Sequence, residues 1–320
     1  MTAKRLLINL FAVIMTAGAF APAVMYAQQT ETSYKDLIKT YEAGDKSVAL
    51  QIAMDYKYGW DGAAVNGKKA VEWLDNAFNA GITRAATMAG TMYYAGDVVK
   101  QDYSKAEKYY RKAASKGDEN AQIRLGRMYY FGNGVKTNYE SAFRWYSEAA
   151  KKYEDSSECS VACLYLGQIY HYGWKHGEKY QSDNAAAVMW LEKAYDAGYI
   201  EASTLLSDIY SSNAFDGVKQ NKAKARKYLV SAAGKGYAPA MRDLATDYLN
   251  GINGSPNYIQ AYVWAAVLAE RDGRAEPRNL MENAKGKIPA KNISQAEKLS
   301  LSAIKKYEKI KYVSAANDID

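Results

Sequence analysis

The sequence predicts an all-α fold, an α/α superhelical solenoid of about six helix-turn-helix repeats with capping helices. Three observations carry this. Gly44, Gly81, Gly117, Tyr153, Gly198, Gly236 and Gly273 mark a beat whose steps are 37, 36, 36, 45, 38 and 37 residues. Each unit opens with an apolar-periodic segment ending in tyrosine, and each then carries a small residue followed three positions later by an aromatic. A period of this length is a two-helix unit that cannot bury its apolar face alone and so stacks on its neighbours.

Residues 1–27 read as an export signal. Lys4 and Arg5 supply charge, Leu6 to Ala17 a mainly apolar stretch, and small residues follow, with no acidic residue before Glu31. Cleavage fits after Ala23 or after Ala27, and Ala27 is taken as the boundary. The apolar stretch is shorter than the ~20 residues of a spanning helix, no cysteine near the site invites a lipid anchor, and no later apolar run spans a bilayer. The expectation is a periplasmic or secreted chain with no transmembrane segment once the signal is removed.

Residues 28–45 should form an N-terminal capping helix, with Leu37, Ile38 and Tyr41 on one face. The array follows over 46–273, in units of about 46–81, 82–117, 118–153, 154–198, 199–236 and 237–273. First helices are clearest in Ala89-Gly90-Thr91-Met92-Tyr93, Leu125-Gly126-Arg127-Met128-Tyr129 and Leu166-Gly167-Gln168-Ile169-Tyr170. A glycine inside a helix costs about 1 kcal/mol, so its use at Gly90, Gly126 and Gly167 predicts a closely crossing partner helix. Second helices carry the pairs Ala70 and Trp73, Ala106 and Tyr109, Ala142 and Trp145, Ala187 and Trp190, Ala225 and Tyr228, and Ala261 and Trp264. The ring is expected to fill the wedge to the next unit. Residues 274–320 read as a linker and a basic capping helix that starts at Ser294, with Glu297 in the capping-box position.

Without Lys4 and Arg5 the 42 basic residues fall to 40 against 35 acidic, a net charge of +5. That implies no nucleic-acid partner. The basic excess is concentrated late, at Lys285, Lys287, Lys291, Lys298, Lys305, Lys306, Lys309 and Lys311. It reads as a solvated tail, with attraction to an anionic polymer or membrane surface as the alternative.

The recurring order of alanine, leucine-glycine, tyrosine, glycine turn, alanine-aromatic and closing glycine resembles the Sel-one-like repeat family, relatives of the tetratricopeptide repeat. The resemblance covers about three quarters of the chain, Asp45 to Gly273. It implies first helices lining a concave side and a role as an adaptor for protein assembly.

Unit four departs from the pattern: Tyr153 replaces the closing glycine, extra residues follow over Glu154 to Glu158, and the next turn expands around Gly177 to Asp183. A non-glycine residue in the left-handed region is costly, so the chain should leave this second helix by another route. The two cysteines, Cys159 and Cys163, lie here. A four-residue spacing inside a helix orients sulfurs poorly, so bonding requires Cys159 at or before the N-cap. In an exported cysteine-rich branch of the family, disulfides tie the end of one second helix to the next first helix. Cys163 occupies the matching first-helix position while Ala150 stands at the usual partner position, so the resemblance implies a bridge to Cys159. Two small, partly buried residues are the alternative.

Ser182-Asp183-Asn184 and Ser302-Ala303-Ile304-Lys305 resemble two boxes of the penicillin-recognising serine enzymes, in reversed order and without a lysine-threonine-glycine box. His171 and His176 have no acid, nucleophile or phosphate loop arranged around them in the sequence, and Cys-x-x-x-Cys lacks the second ligand pair of a zinc site. No catalytic residue, metal or cofactor is assigned. Asn253-Gly254-Ser255 and Asn292-Ile293-Ser294 fit the glycosylation pattern.

Opposite the core side of the third unit's first helix (Ala121, Leu125, Met128 and Tyr129), the helical period presents Ile123, Arg124, Arg127 and Tyr130. Equivalent positions bring Thr87, Thr91, Tyr94, Leu164, Gln168, His171, Asp208, Ser211, Arg242 and Thr246 to the same side. The expected partner-binding residues are Thr91, Tyr94, Arg124, Arg127, Tyr130, Gln168, His171, Asp208 and Arg242, a mix of arginine, tyrosine and polar groups suited to binding. The function expected is a non-catalytic exported scaffold that holds a protein or peptide partner in the concave groove. A carbohydrate or peptidoglycan ligand is the first alternative. A hydrolase or penicillin-binding activity, as in the cysteine-rich branch, is the second.

Overall fold

The structure, a computed structural model, describes residues 33–153, 161–176, 179–272 and 275–310. The export signal, Cys159 and Lys311 lie outside the described residues. The chain divides into two compact units, one ending at Asp118 and the other beginning at Glu119.

In the first unit, α1 (Tyr34–Glu42) follows the cap Ser33, whose hydroxyl accepts from the amide of Lys35. Leu37, Ile38 and Tyr41 pack on the core as expected. Two helix pairs follow, α2 (Ala49–Tyr58) with α3 (Gly67–Asn79) and α4 (Arg84–Ala95) with α5 (Tyr103–Ala114), and α3 packs on α4. Ile52, Leu74 and Met92 are fully buried between them.

The second unit continues with α6 (Glu119–Phe131) and α7 (Tyr139–Ala150), α8 (Val161–Tyr172) and α9 (Asn184–Asp196), α10 (Ala202–Ser211) and α11 (Lys222–Gly234), and α12 (Ala238–Asn250) and α13 (Tyr258–Asp272). Successive pairs pack in sequence order, and α14 (Ala275–Lys287) and α15 (Ile293–Tyr307) close on α13. The expanded turn of the fourth repeat carries the one departure from all-α among the described residues. This is a ribbon in which β1 (Trp174–His176) runs antiparallel to β2 (Lys179–Gln181), with His176 opposite Lys179.

One device recurs in all six repeats. An Asx residue caps every second helix: Asn66, Asp102, Asn138, Asp183, Asn221 and Asn257 each accept, at 2.8–3.0 Å, the amide three residues on. The backbone amide of the same residue donates to the carbonyl of the recurring first-helix tyrosine, as from Asn66 to Tyr56 and from Asn257 to Tyr248. Each cap therefore satisfies an orphan helix donor, worth about 1 kcal/mol, and pins the turn to the preceding helix. Asp183 of the Ser182-Asp183-Asn184 match belongs to this series.

The closing glycines among the described residues are left-handed, for example Gly81 at φ +95 and Gly117 at φ +82. Where Tyr153 replaces one, the chain instead runs through a 3₁₀ turn, Lys151–Tyr153. There the Tyr153 hydroxyl donates to the Glu119 carboxylate and its carbonyl accepts from Lys193 Nζ.

Three expectations are corrected. The stretch after Gly273 is a helix, α14, rather than a linker; its buried residues are Pro277 and Ala284, and Pro277 is tolerated because it stands in the first turn. Glu297 forms no capping box: α15 begins at Ile293, and Glu297 pairs with Lys285 at 2.9 Å. At Trp73, Tyr109 and Tyr228 the aromatic three residues after the second-helix alanine faces the preceding repeat, not the next, whereas Trp264 meets Tyr307 of α15 at 5.3 Å. The Tyr109 hydroxyl donates to Asp75 and the Tyr228 hydroxyl to Glu192, while Trp73 meets Tyr41 edge-on. The residue one place later meets the first-helix glycine of its own repeat. A Cβ added at Gly90, Gly126 or Gly167 would lie 2.5–2.6 Å from Tyr110, Tyr146 or Leu191, respectively. One residue is 100° of helix rotation, enough to separate these two roles.

Candidate functional site on the first-helix faces

In the first unit, Thr91 and Tyr94 stand half-buried on α4. The Thr91 hydroxyl donates to the Thr87 carbonyl at 3.0 Å and accepts from the Tyr110 hydroxyl at 3.3 Å. The Tyr94 ring meets Tyr103 edge-on at 5.3 Å.

In the second unit, α6 keeps Arg124, Arg127 and Tyr130 partly exposed at a three-residue spacing, while Ala121, Gln122, Ile123, Leu125, Gly126, Met128 and Tyr129 are buried. Tyr130 is the centre of an aromatic group, with Phe131 at 4.9 Å, Tyr139 at 5.4 Å and Tyr165 at 5.8 Å. Phe131 and Tyr139 are exposed.

Beneath them Tyr146 is fully buried and stacked on Tyr165 at 4.8 Å, and its hydroxyl has no hydrogen-bond partner among the described residues. The equivalent hydroxyl in the second repeat, on Tyr110, reaches Thr91. The third repeat places Arg127 where that threonine would be. Burial pushes the Tyr146 phenol well above its ordinary value, with Tyr165 and Tyr130 adding and Arg127 opposing.

Further along, Gln168 on α8 stays partly exposed and Asp208 on α10 is exposed, while the His171 side chain is 7% exposed. The structure brings His171 and Asp208 together. His171 Nδ1 meets the Asn184 side-chain carbonyl at 2.8 Å, and Nε2 lies 3.7 Å from Asp208. With Asn184 presenting an acceptor, Nδ1 is the donor, which leaves Nε2 facing the carboxylate. Phe215 packs against the ring at 5.4 Å. Arg242 on α12 lies 3.2 Å from Glu276. Burial raises the neighbouring Asp243 carboxyl, with Arg242 opposing and Asp208 adding.

The exposed arc is narrower than the sequence suggests. Ile123, Thr87 and Leu164 are buried, and Thr87 spends its hydroxyl on Asp118 at 2.9 Å. Helix α8 shows the reason: it packs against both α9 and α7, so two sides are covered rather than one. Cys163 is buried in the first turn of α8, and the backbone of His176 lies in β1. Among the described residues no group of three or more His, Cys, Asp or Glu could hold a metal. Asn253 of the first glycosylation match is buried, its amide bonded to Asp247.

A polar clasp on the second-helix side escaped the sequence reading. The Glu192 carboxylate accepts from the Tyr210 and Tyr228 hydroxyls at 2.9 and 2.8 Å and pairs with Lys224. Burial would raise its pKa, but Lys224, Tyr228 and Tyr210 outweigh it and hold the carboxyl below its ordinary value. In the first unit Asp75 does the same with Tyr109 and Lys112. The signal was available: Trp73-Leu74-Asp75 and Trp190-Leu191-Glu192 are equivalent segments.

Stacked antiparallel helix pairs with capped second helices and exposed first-helix side chains define an α/α repeat protein of the tetratricopeptide-like class. This chain belongs to the Sel1 repeat family. The family pattern matches residues 49–82, 83–118, 120–153, 160–199, 202–237 and 238–272, and its members are typically protein-interaction scaffolds. Among solved structures, the chain is similar to c5321, a protective antigen of uropathogenic Escherichia coli strains displaying an SLR fold. The identity is 26% and the TM-score 0.66, over 88% of this chain and 59% of that one. It is also similar to a Sel1 repeat protein from Oxalobacter formigenes, with 24% identity and a TM-score of 0.55 over 83% of this chain and 100% of that one, a likeness of fold alone. This chain thus spans 59% of the length of the Escherichia coli protein. Comparison with curated proteins gives no match. No described helix is long and apolar enough to cross a membrane.

Proposed function

We propose that this chain is an exported, non-catalytic adaptor that holds a protein or peptide segment on the first-helix face of its second unit. The observation that carries the reading is the α6 stripe. Between Ala121 and Tyr130 the helix is buried except at Arg124, Arg127 and Tyr130, which keep partial exposure, with Phe131 and Tyr139 exposed beside Tyr130. Tyrosine combines contact area with a polar tip at low entropic cost, and arginine adds a charged planar donor, which suits recognition of a polypeptide. Gln168, His171, Asp208 and Arg242 extend the face along α8, α10 and α12, and Thr91 and Tyr94 are its counterpart in the first unit. The scaffold role typical of Sel1 repeat proteins supports the same conclusion.

The test is crosslinking in the native cell envelope followed by mass spectrometry, paired with recovery by the purified chain. An Arg127→Glu, Tyr130→Ala double variant should lose the partner that wild type retains. Equal recovery by both would sink the reading. Retention on purified peptidoglycan would favour the glycan alternative, and burst release from a reporter β-lactam would favour the penicillin-binding one.

A further inference from the structure

We propose that the outward face of α15 docks on an anionic phospholipid surface. The helix buries Ala296, Ser300 and Tyr307 and packs Ala303 and Ile304 against the core. At 100° per residue, the opposite arc contains Lys298, Leu301 and Lys305, all three exposed. Leu301 is 67% exposed, the highest value for a large apolar side chain among the described residues. Lys298 and Lys305 stand three residues before it and four after it, so both flank it on the helix surface. Neither has an ion pair among the described residues: Glu297 is taken by Lys285, and the exposed Glu308, three residues after Lys305, is not paired with it and is the one acid at the edge of this arc. Lys306 and Lys309 extend the exposed positive surface toward the end of the helix.

Charge alone would leave a solvated face. The leucine changes the reading, since a solvated helix face is expected to be polar. Long lysine stems let the ammonium groups stay at phosphate level while a central apolar side chain enters the headgroup boundary. The face is one side of a single helix, and its positive charge complements anionic headgroups. Each lysine near such a surface is worth about fivefold in partitioning, and the attraction fades beyond a Debye length, so binding should fall with salt.

The experiment is vesicle co-sedimentation of the full chain. Wild type is compared with Lys298→Gln/Lys305→Gln and with Leu301→Ser, whose exposed positions leave the helical circular dichroism unchanged. Wild type should sediment with vesicles of equal phosphatidylcholine and phosphatidylglycerol, and less with phosphatidylcholine alone or in raised salt. The double lysine variant should partition about 25-fold more weakly, and Leu301→Ser measurably more weakly. Equal sedimentation with both vesicle types overturns the proposal. So does a Leu301→Ser variant that binds like wild type while poly-glutamate displaces both, because that pattern marks a soluble polyanion as the ligand.

Discussion

Gly126 offers the sharpest test of how the repeats are packed, because replacing it with alanine sets two known effects against each other. Alanine gains about 1 kcal/mol of helix propensity over glycine. The added Cβ would lie 2.5 Å from Cε1 and 2.7 Å from Cδ1 of Tyr146, about 1 Å inside ordinary carbon contact. Tyr146 is fully buried and stacked on Tyr165, so it has no free side to move into. Overpacking of this kind costs about 1–3 kcal/mol, and the immobile ring places Gly126→Ala near the upper end. The net expectation is a loss of about 2 kcal/mol, the ~3 kcal/mol upper overpacking value less the ~1 kcal/mol propensity gain. Gly286 on α14 is the control: nothing lies within 4 Å of a Cβ added there, so Gly286→Ala should gain about 0.5–1 kcal/mol. Urea titrations followed by helical circular dichroism would compare the two midpoints, since repeat arrays need not unfold in two states. A Gly126→Ala chain at least as stable as wild type would show that the ring gives way and that close helix approach is not what glycine supplies there.

Four further outcomes follow from the same geometry. Tyr129→Ala removes a buried ring and should cost roughly 3 kcal/mol or more; an unchanged melting curve would mean that the core side of α6 is assigned backwards. Tyr146→Phe should leave stability unchanged or raise it by about 1 kcal/mol, whereas Tyr110→Phe should lower it by about the same; equal losses would reveal a partner for the Tyr146 hydroxyl. Glu192 is held below its ordinary value of 4.5 in the folded chain, so its contribution is fully present above that pH and is lost as pH falls through the lower folded value. Glu192→Gln should therefore flatten the acid side of the stability profile below about pH 4.5, and an identical acid limb would count against the clasp. A Cys159–Cys163 bridge, proposed from the family resemblance, would add two hydrogens to the intact mass on reduction; no mass change would remove it.

The periodic features of the fold were legible because they depend on residues a few positions apart. The glycine beat, the tyrosine-ended first helices, the N-terminal cap with Leu37, Ile38 and Tyr41, and the close approach at Gly126 could all be read from spacing alone. The Asx caps from Asn66 to Asn257 were equally local and were overlooked. Helix α14 was harder, because only Leu280, Met281, Ala284 and Ile288 mark its apolar side and Pro277 and Gly286 interrupt the pattern. The candidate face was half legible. Arg124, Arg127 and Tyr130 keep exposure as expected, but Ile123 and Leu164 are buried; for Leu164 the reason is that α8 packs against α7 as well as α9.

The division is physical. The 3.6-residue period and the conformational preferences of Gly, Asn and Asp act within a few residues, so within the repeats the chain alone marks where helices stop and which stripe is apolar. Partners at sequence separations of about 35 are decided by packing. Assembly selected the ring after Tyr109 to meet the glycine, sent Tyr109 and Tyr228 back to Asp75 and Glu192, left the Tyr146 hydroxyl without the threonine its counterpart has, and brought His171 to Asp208. Those outcomes depend on which neighbour covers each side of a helix, and no local spacing specifies that.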